Sequence, residues 1–247
     1  MQKLSVVIIT KNEEKNIERC LRSVAWADEL FILDSGSTDG TLEICRRFGC
    51  RIAETPWLGF GRTKHLAVDS ARFDWILSVD ADEEVSTELR DAVREILDGE
   101  PEYPVYRIRR QSYYLEKLIR HSGWNHDYPL RLFDRRKGNF NDKESHESVE
   151  VAGLKGSIEA PLIHYPYPTL QSHVDKMNLY AELVARSKFH KGKSSSPGYA
   201  ILAGITKFLK MDILQAGFLD GRHGFVLALN SAYGVYLKYV KLWQLKR

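Results

Sequence analysis

The chain predicts an α/β fold, a doubly wound sheet followed by a helical C-terminal extension. Three observations carry that prediction. Over the first hundred residues, apolar strand-like runs alternate with amphipathic helical segments. Thr10, Asp34 and Asp80 each stand where one of those runs ends. Beyond Thr169 the pattern turns helical, aromatic and basic.

Each element has its own justification. Residues 4–10, Leu-Ser-Val-Val-Ile-Ile-Thr, form a first strand. The charged run Lys11-Asn12-Glu13-Glu14 bounds it and no small-residue cleavage site follows, so it is not a signal peptide. Residues 14–24 put Ile17, Leu21 and Val24 on one helical stripe. Residues 29–34 are strand-like, and 41–48 form a short helix after the turn Asp34-Ser35-Gly36-Ser37-Thr38-Asp39-Gly40. A third strand over 50–53, a helix over 61–71 and a fourth strand over 74–80 follow. Residues 86–97 are helical. Repeated β-α units with right-handed crossovers give a parallel, doubly wound sheet. Ligands of such sheets bind beyond the carboxyl ends of the strands, so Thr10, Asp34 and Asp80 converge on one crevice.

After Pro101 the pattern changes. Residues 105–113, 128–133 and 157–164 read as strands. Helix is expected from Thr169, and Lys191-Gly192-Lys193-Ser194-Ser195-Ser196-Pro197-Gly198 reads as a linker. Residues 199–218 and 224–245 are apolar, aromatic and basic. The expected organisation is a catalytic domain over 1–168 and a helical, basic region over 169–247.

Composition bounds the function. The 247 residues are 43% hydrophobic, enough for a globular core. No apolar stretch reaches the ~20 residues of a membrane span. The three cysteines lack metal-ligand spacing, which suits a reducing, cytoplasmic compartment. Net charge is +3 but uneven: residues 186–247 hold eleven Lys/Arg against Asp212 and Asp220, a local charge of +9, and the remainder carries −6. A basic tail suggests contact with something anionic.

Asp80-Ala81-Asp82-Glu83 follows the apolar run Trp75-Ile76-Leu77-Ser78-Val79, so its acids sit at the mouth of the sheet. Paired carboxylates there suit a hard divalent cation and the phosphates it carries. At ~4 Å and an effective dielectric of ~20, each charge pair contributes roughly 4 kcal/mol. The plain alternative is that these acids start the next helix, with Ser86-Thr87-Glu88-Leu89 as its first turn.

The runs Val6-Val7-Ile8-Ile9-Thr10-Lys11-Asn12-Glu13, Asp34-Ser35-Gly36-Ser37-Thr38-Asp39-Gly40-Thr41 and Asp80-Ala81-Asp82-Glu83, in this order and at these distances, resemble an inverting glycosyltransferase of family 2. The likeness covers about the first hundred residues. Gly217-Phe218-Leu219-Asp220-Gly221 and the His164-Tyr165 strand end are similar to the bacterial lipopolysaccharide core β-1,4-glucosyltransferase group. The resemblance implies a GT-A fold, Rossmann-like with a doubly wound mixed sheet, a UDP-sugar donor and Mn²⁺ or Mg²⁺ as cofactor.

It also implies roles residue by residue. Asp82 ligates the metal, and Asp80 contacts the ribose or a metal-bound water. His164 matches a late histidine that completes the metal site, with a hydrogen-bonded structural histidine as the alternative. Asp34 matches an acid on the nucleobase; alternatively it orders its glycine-containing turn. Asp39 is rather a helix N-cap. Thr10, Asn12 and Glu13 line base and ribose, unless Glu13 caps the following helix. Lys64 reaches the diphosphate or donor sugar, or else lies on a solvated helix face.

An inverting displacement needs a general base on the acceptor hydroxyl. Ser145-His146-Glu147 resembles the late acidic motif, which nominates Glu147 as the base. The match departs from the commoner Glu-Asp form, leaving Asp142 and Glu144 as rivals. A zinc-protease helix is rejected because position 150 is Glu, where a second histidine is required. Trp124 suits a sugar face and Arg131 an acceptor phosphate; both are equally packing residues. In the tail, Tyr233, Tyr236, Leu237, Val240 and Trp243 make an apolar stripe among Lys238, Lys241, Lys246 and Arg247. That stripe fits either an anionic membrane surface or the main domain. No nucleic-acid fold signature accompanies the charge, so nucleic acid is not an expected partner.

The implied reaction moves a hexose, glucose by the resemblance, from a UDP-sugar to a lipid-linked bacterial glycan such as the lipopolysaccharide inner core. It would run at the inner face of the cytoplasmic membrane. The alternatives are a polyprenyl-phosphate sugar synthase and an inactive nucleotide-sugar-binding module.

Overall fold

A computed structural model describes residues 2–142 and 147–246. It divides into two compact units, one of residues 1–110 and 128–164 and the other of 111–127 and 165–247.

In the first unit, β1 (Leu4–Thr10), α1 (Ile17–Val24), β2 (Glu29–Asp34), α2 (Thr41–Arg47), β3 (Arg51–Glu54), α3 (Phe60–Asp69) and β4 (Trp75–Ser78) make the expected β-α alternation. The short β5 (Glu83–Val85) and α4 (Thr87–Asp98) follow. Then come β6 (Val105–Tyr114), whose last four residues fall in the second unit together with β7 (Lys117–Leu118), then β8 (Leu130–Asp134), β9 (Gly138–Phe140), β10 (Val149–Val151) and β11 (Gly156–Tyr167), whose residues 165–167 also fall in the second unit. The main sheet runs β3-β2-β1-β4-β8-β6-β11-β5, with β7 paired to β6 and β9 with β10 as a separate ribbon. β3, β2, β1 and β4 are parallel. β8 meets both β4 and β6 antiparallel, so the sheet is mixed.

Both faces of the parallel half are covered, which explains its unbroken apolar strands. Successive side chains alternate in direction. Val6, Ile8, Ile32 and Leu77 thus pack with Ile17, Leu21 and Val24 of α1 and with Leu89, Val93 and Leu97 of α4. Val7, Phe31, Leu33 and Ile76 pack on the other side with Ala67 and Val68 of α3. Ser86 starts α4: its side chain accepts from the Leu89 amide, a cap that contributes about 1 kcal/mol.

The registers position the site. Thr10 pairs with Asp34, and Asp34 with Glu54, so the carboxyl ends of β1, β2 and β3 align. β5 was not foreseen; it is three residues long, Glu-Glu-Val, too short to show a period. It runs antiparallel to β11 and sets His164 opposite Glu83.

The second unit contains α5 (Leu170–His190), α6 (Pro197–Leu209), a π turn at Lys210–Leu214, a 3₁₀ turn at Gly217–Asp220 and α7 (Gly221–Gln244). Thr169 and Ser172 form a capping box for α5, and Ser196 caps α6. Tyr114, Ile119, Met211, Leu227 and Ala228 make its core, with Trp124 packed against them. In the tail stripe, Tyr236, Leu237, Val240 and Trp243 are half-buried and Tyr233 is exposed.

Gly217-Phe218-Leu219-Asp220-Gly221 forms a clasp within this unit. The buried Asp220 carboxylate accepts from the backbone amides of Arg120 and His121 at 3.2 and 2.9 Å. The His121 ring lies 3.1 Å from it, and Lys117 Nζ donates to the Asp220 carbonyl at 2.7 Å. A Cβ on Gly224 would stand 2.0 Å from the Gly217 carbonyl oxygen, so only glycine fits there. Among the described residues no helix is long and apolar enough to cross a membrane.

Candidate active site

At the carboxyl ends of the parallel strands, two loops are laced together by their own side chains. Asp34 is fully buried. Its Oδ1 accepts from Thr10 Oγ1 at 2.9 Å and from Ser37 Oγ. Its Oδ2 accepts from the amides of Gly36 and Ser37 at 2.9 and 2.7 Å. Four donors fill the roughly four lone-pair directions of a carboxylate. Of the two roles the sequence offered, this geometry displays the ordering of the 34–40 turn.

Asn12, with φ 57°, presents Oδ1 to the Thr38 amide at 2.8 Å, while its own amide donates to Ser37 Oγ at 2.8 Å. The Glu13 amide donates to Thr41 Oγ1 at 2.8 Å, and Glu13 Oε2 accepts from Asn16 Nδ2 at 2.8 Å, just ahead of α1. Asp39 accepts from the amide and hydroxyl of Thr41, at the start of α2.

Asp80, two residues beyond β4, meets a different kind of partner. Its Oδ1 lies 2.8 Å from Lys64 Nζ and its Oδ2 accepts from Arg131 Nη2. Burial works against its ionisation, but the charges of Arg131 and Lys64 win and hold the carboxyl well below the usual range. Lys64, buried on α3, also reaches Glu147 Oε1 at 2.9 Å, so one ammonium joins Asp80 to the candidate base. Asp142 is described but exposed; the other rival, Glu144, lies outside the described residues, as do Ser145 and His146.

Two residues that sequence reasoning gave no role complete the cluster. Glu83 is fully buried. Its Oε1 accepts from Arg131 Nη2 at 2.8 Å and from Arg110 Nη1 at 3.0 Å, and its Oε2 accepts from the Asp80 amide at 2.9 Å. It therefore fixes the loop that carries the two aspartates. The signal for it was its place as fourth residue of Asp80-Ala81-Asp82-Glu83; for Arg110 it was an arginine pair, Arg109-Arg110, breaking the alternation of β6. Arg131, which the sequence offered to an acceptor phosphate or to packing, is buried and directs its charge to Asp80 and Glu83. Trp124, the other acceptor candidate, lies in the second unit, edge-on to Tyr114 at 6.3 Å.

Asp82 faces His164. Oδ1 is 3.7 Å from Nε2, and both side chains are largely buried. Burial lowers the His164 pKa against the pull of Asp82, which keeps the imidazole neutral and able to donate a lone pair. One carboxylate oxygen and one imidazole nitrogen face each other here, and such donors suit Mg²⁺ or Mn²⁺. Among the described residues no group of three or more His, Cys, Asp or Glu is arranged to hold a metal. Such an ion would take its remaining ligands from substrate phosphates and water. Among the described residues, Asp80, Glu83 and Glu147 are paired with Lys64, Arg110 and Arg131, and Asp82 faces the neutral His164.

The comparisons give this mixed α/β sheet, with acids at its parallel strand ends, a family. The chain belongs to glycosyl transferase family 2, whose model matches residues 5–156. A protein of Rickettsia typhi named as an uncharacterized glycosyltransferase is 30% identical over 99% of this chain and 88% of its own length. The lipopolysaccharide core biosynthesis glycosyltransferase LpsC of Rhizobium meliloti is 27% identical over 98% of this chain and 92% of its own. Among solved structures, S. aureus TarS 1-349 in complex with UDP-GlcNAc covers 97% of this chain and 92% of its own, with TM-score 0.51 and 17% identity. That likeness bears on the fold, which is GT-A. The protein is a glycosyltransferase.

Proposed function

We propose that this glycosyltransferase transfers a hexose, glucose, from a UDP-sugar to a lipid-linked bacterial glycan such as the lipopolysaccharide inner core, with inversion at the anomeric carbon. The observation that carries the donor half is the convergence of Asp80, Lys64 and Glu147 with the Asp82–His164 pair inside one compact unit. Support for the acceptor half is the full-length similarity to the Rhizobium core transferase.

In this reading the turn ordered by Asp34 and Asn12 forms the floor for base and ribose, beside Thr10 and Glu13. Asp82 and His164 would hold Mn²⁺ or Mg²⁺, and the bound ion would neutralise the diphosphate leaving group. Lys64 supplies a second positive charge at the same edge. Glu147 takes the proton of the acceptor hydroxyl as that oxygen bonds to the anomeric carbon. The carbon–phosphate-oxygen bond breaks in the same step, and UDP leaves with the electron pair. Lys64 and Arg131 hold the acids in place without themselves exchanging protons.

Calorimetric titration with UDP, UDP-glucose and GDP-mannose, each with and without Mn²⁺, tests the donor. We expect UDP-glucose to bind in the presence of Mn²⁺, and Asp82→Asn to abolish that Mn²⁺-dependent binding. Equal binding of the guanine nucleotide, or a metal requirement intact in Asp82→Asn, overturns the assignment.

A further inference from the structure

The second unit carries an apolar surface built the wrong way round for a helix packed in water. α6 turns its small residues to α7: Ala200 and Gly204 are buried, and a Cβ on Gly204 would lie 3.2 Å from the Ala232 carbonyl oxygen. Its large residues point outward. Ile201, Leu202, Ile205 and Leu209 are all exposed, Leu202 by 61%. The face continues into the π turn, where Leu214 is 81% exposed, and along α7 through Phe225 and Leu229. Phe208 meets Phe225 edge-on at 5.6 Å, tying the two helices at this end. An amphipathic helix in water shows the reverse arrangement.

Charge selects the occupant. Lys207 is the one charged residue of α6. Lys193, Lys210 and Arg222 are exposed, and Arg222 lies beside Phe218 and Phe225. Of the two acids between residues 191 and 246, Asp220 is buried, and the half-buried Asp212 lies beside Arg222 and Phe225. A second copy would set cations against cations, whereas an anionic bilayer attracts them. α5 is the internal contrast: its exposed Leu179 and Leu183 are interrupted by Asp175, Lys176, Glu182 and Arg186, an ordinary wetted surface. At 1.5 Å per residue α6 is about 20 Å long, short of the ~30 Å hydrocarbon core, so it suits lying in the interface plane.

We infer that the outward face of α6, the π turn and the first half of α7 docks on an anionic lipid surface. The docking element is this face, not the half-buried stripe Tyr236–Trp243. The inference stands on the unit's own surface and is independent of the donor site.

The test is co-sedimentation of the full chain with vesicles of phosphatidylcholine alone or mixed with phosphatidylglycerol. We expect at least tenfold tighter partitioning to the anionic vesicles, weakening as salt rises. The pair Leu202→Glu with Ile205→Glu should reduce it tenfold or more, with circular dichroism and UDP affinity unchanged. The control pair Leu179→Glu with Leu183→Glu on α5 should stay within twofold of the parent. No preference for anionic vesicles overturns the inference, as does an equal loss in the α5 pair. So does a light-scattering mass showing a dimer that the α6 pair dissociates.

Discussion

The two units both bury carboxylates, but they satisfy them differently. Asp220 is held by two backbone amides and a histidine ring, donors fixed by the chain itself. Asp80 and Glu147 are held by Lys64, and Asp80 and Glu83 by Arg131. Backbone donors lock an acid into a structural role. A lysine ammonium on a flexible stem can be shared with an incoming anion. Within the first unit Asp34 shows the same division, since its four donors are a threonine and the turn it organises. Buried acidity alone therefore does not mark a reaction centre, and neither does a charged donor alone, since buried Glu29 is held by Arg51 and buried Asp134 by Arg136 outside the cluster.

The sharpest test of that division is Glu147→Gln. The amide keeps the shape and a contact to Lys64 but cannot take a proton. We expect turnover to fall by about 10³-fold, within the usual range for a lost general base, with UDP affinity unchanged. Single-turnover transfer beside calorimetric UDP binding measures both; retained turnover removes Glu147 as the base. Asp220→Asn, by contrast, should leave kcat within a few-fold of the parent while lowering stability.

Arg131→Ala comes next. It strips one partner from the buried Glu83 and from the half-buried Asp80, and breaking a buried pair costs ~3–5 kcal/mol. Urea unfolding followed by circular dichroism should show the loss. An effect below about 1 kcal/mol would mean that Asp80 and Glu83 are rehydrated, and that the cluster is looser than its distances indicate.

A third comparison uses pH. His173 in the second unit is buried, its ring stacked on Tyr167 at 4.1 Å and its Nδ1 3.0 Å from the Tyr114 hydroxyl. Burial lowers its pKa to about 4 from 6.5. The unfolded chain then binds a proton that the folded chain refuses between those values. Its contribution is intact above pH 6.5, fades as pH falls and is gone below about 4, a swing of about 3 kcal/mol. His173→Gln should show a flatter dependence than the parent over that window. Identical slopes in denaturant titrations at pH 7, 5.5 and 4.5 would count against a neutral buried imidazole.

Much of this was legible in the sequence, for reasons that particular residues show. The parallel half was readable because Val6-Val7-Ile8-Ile9 and Trp75-Ile76-Leu77 are buried on both faces and so stay apolar throughout. The acids were readable because they end those runs. Partnership across antiparallel strands was not. Arg131 comes to Asp80 because β8 pairs with β4 through Ile76–Phe133 and Leu77–Leu132, and continuing that register brings Arg131 to the end of β4. Glu83 meets His164 through β5, whose three residues carry no periodicity. Local sequence shows where an acid stands; register decides which cation it meets.

The smallest expected effect separates stability from chemistry. Ser86 caps α4 in the first unit and Thr169 caps α5 in the second, each accepting from an amide three residues on at 3.1 Å. Neither side chain belongs to the acid–cation cluster. Replacing either by alanine removes one helix-end hydrogen bond and should cost about 1 kcal/mol. Ser86 lies three residues beyond Glu83, on the chain that leaves the loop of Asp80 and Asp82, so Ser86→Ala reports on the stiffness of that loop. If Glu83 and Arg131 anchor the loop as their bonds indicate, Ser86→Ala should shift the melting temperature by the same few degrees as Thr169→Ala and leave the Mn²⁺ dependence of UDP binding unchanged. A weaker Mn²⁺ response in Ser86→Ala alone would show that the loop is held by its helix, and that the ion-pair anchor contributes little.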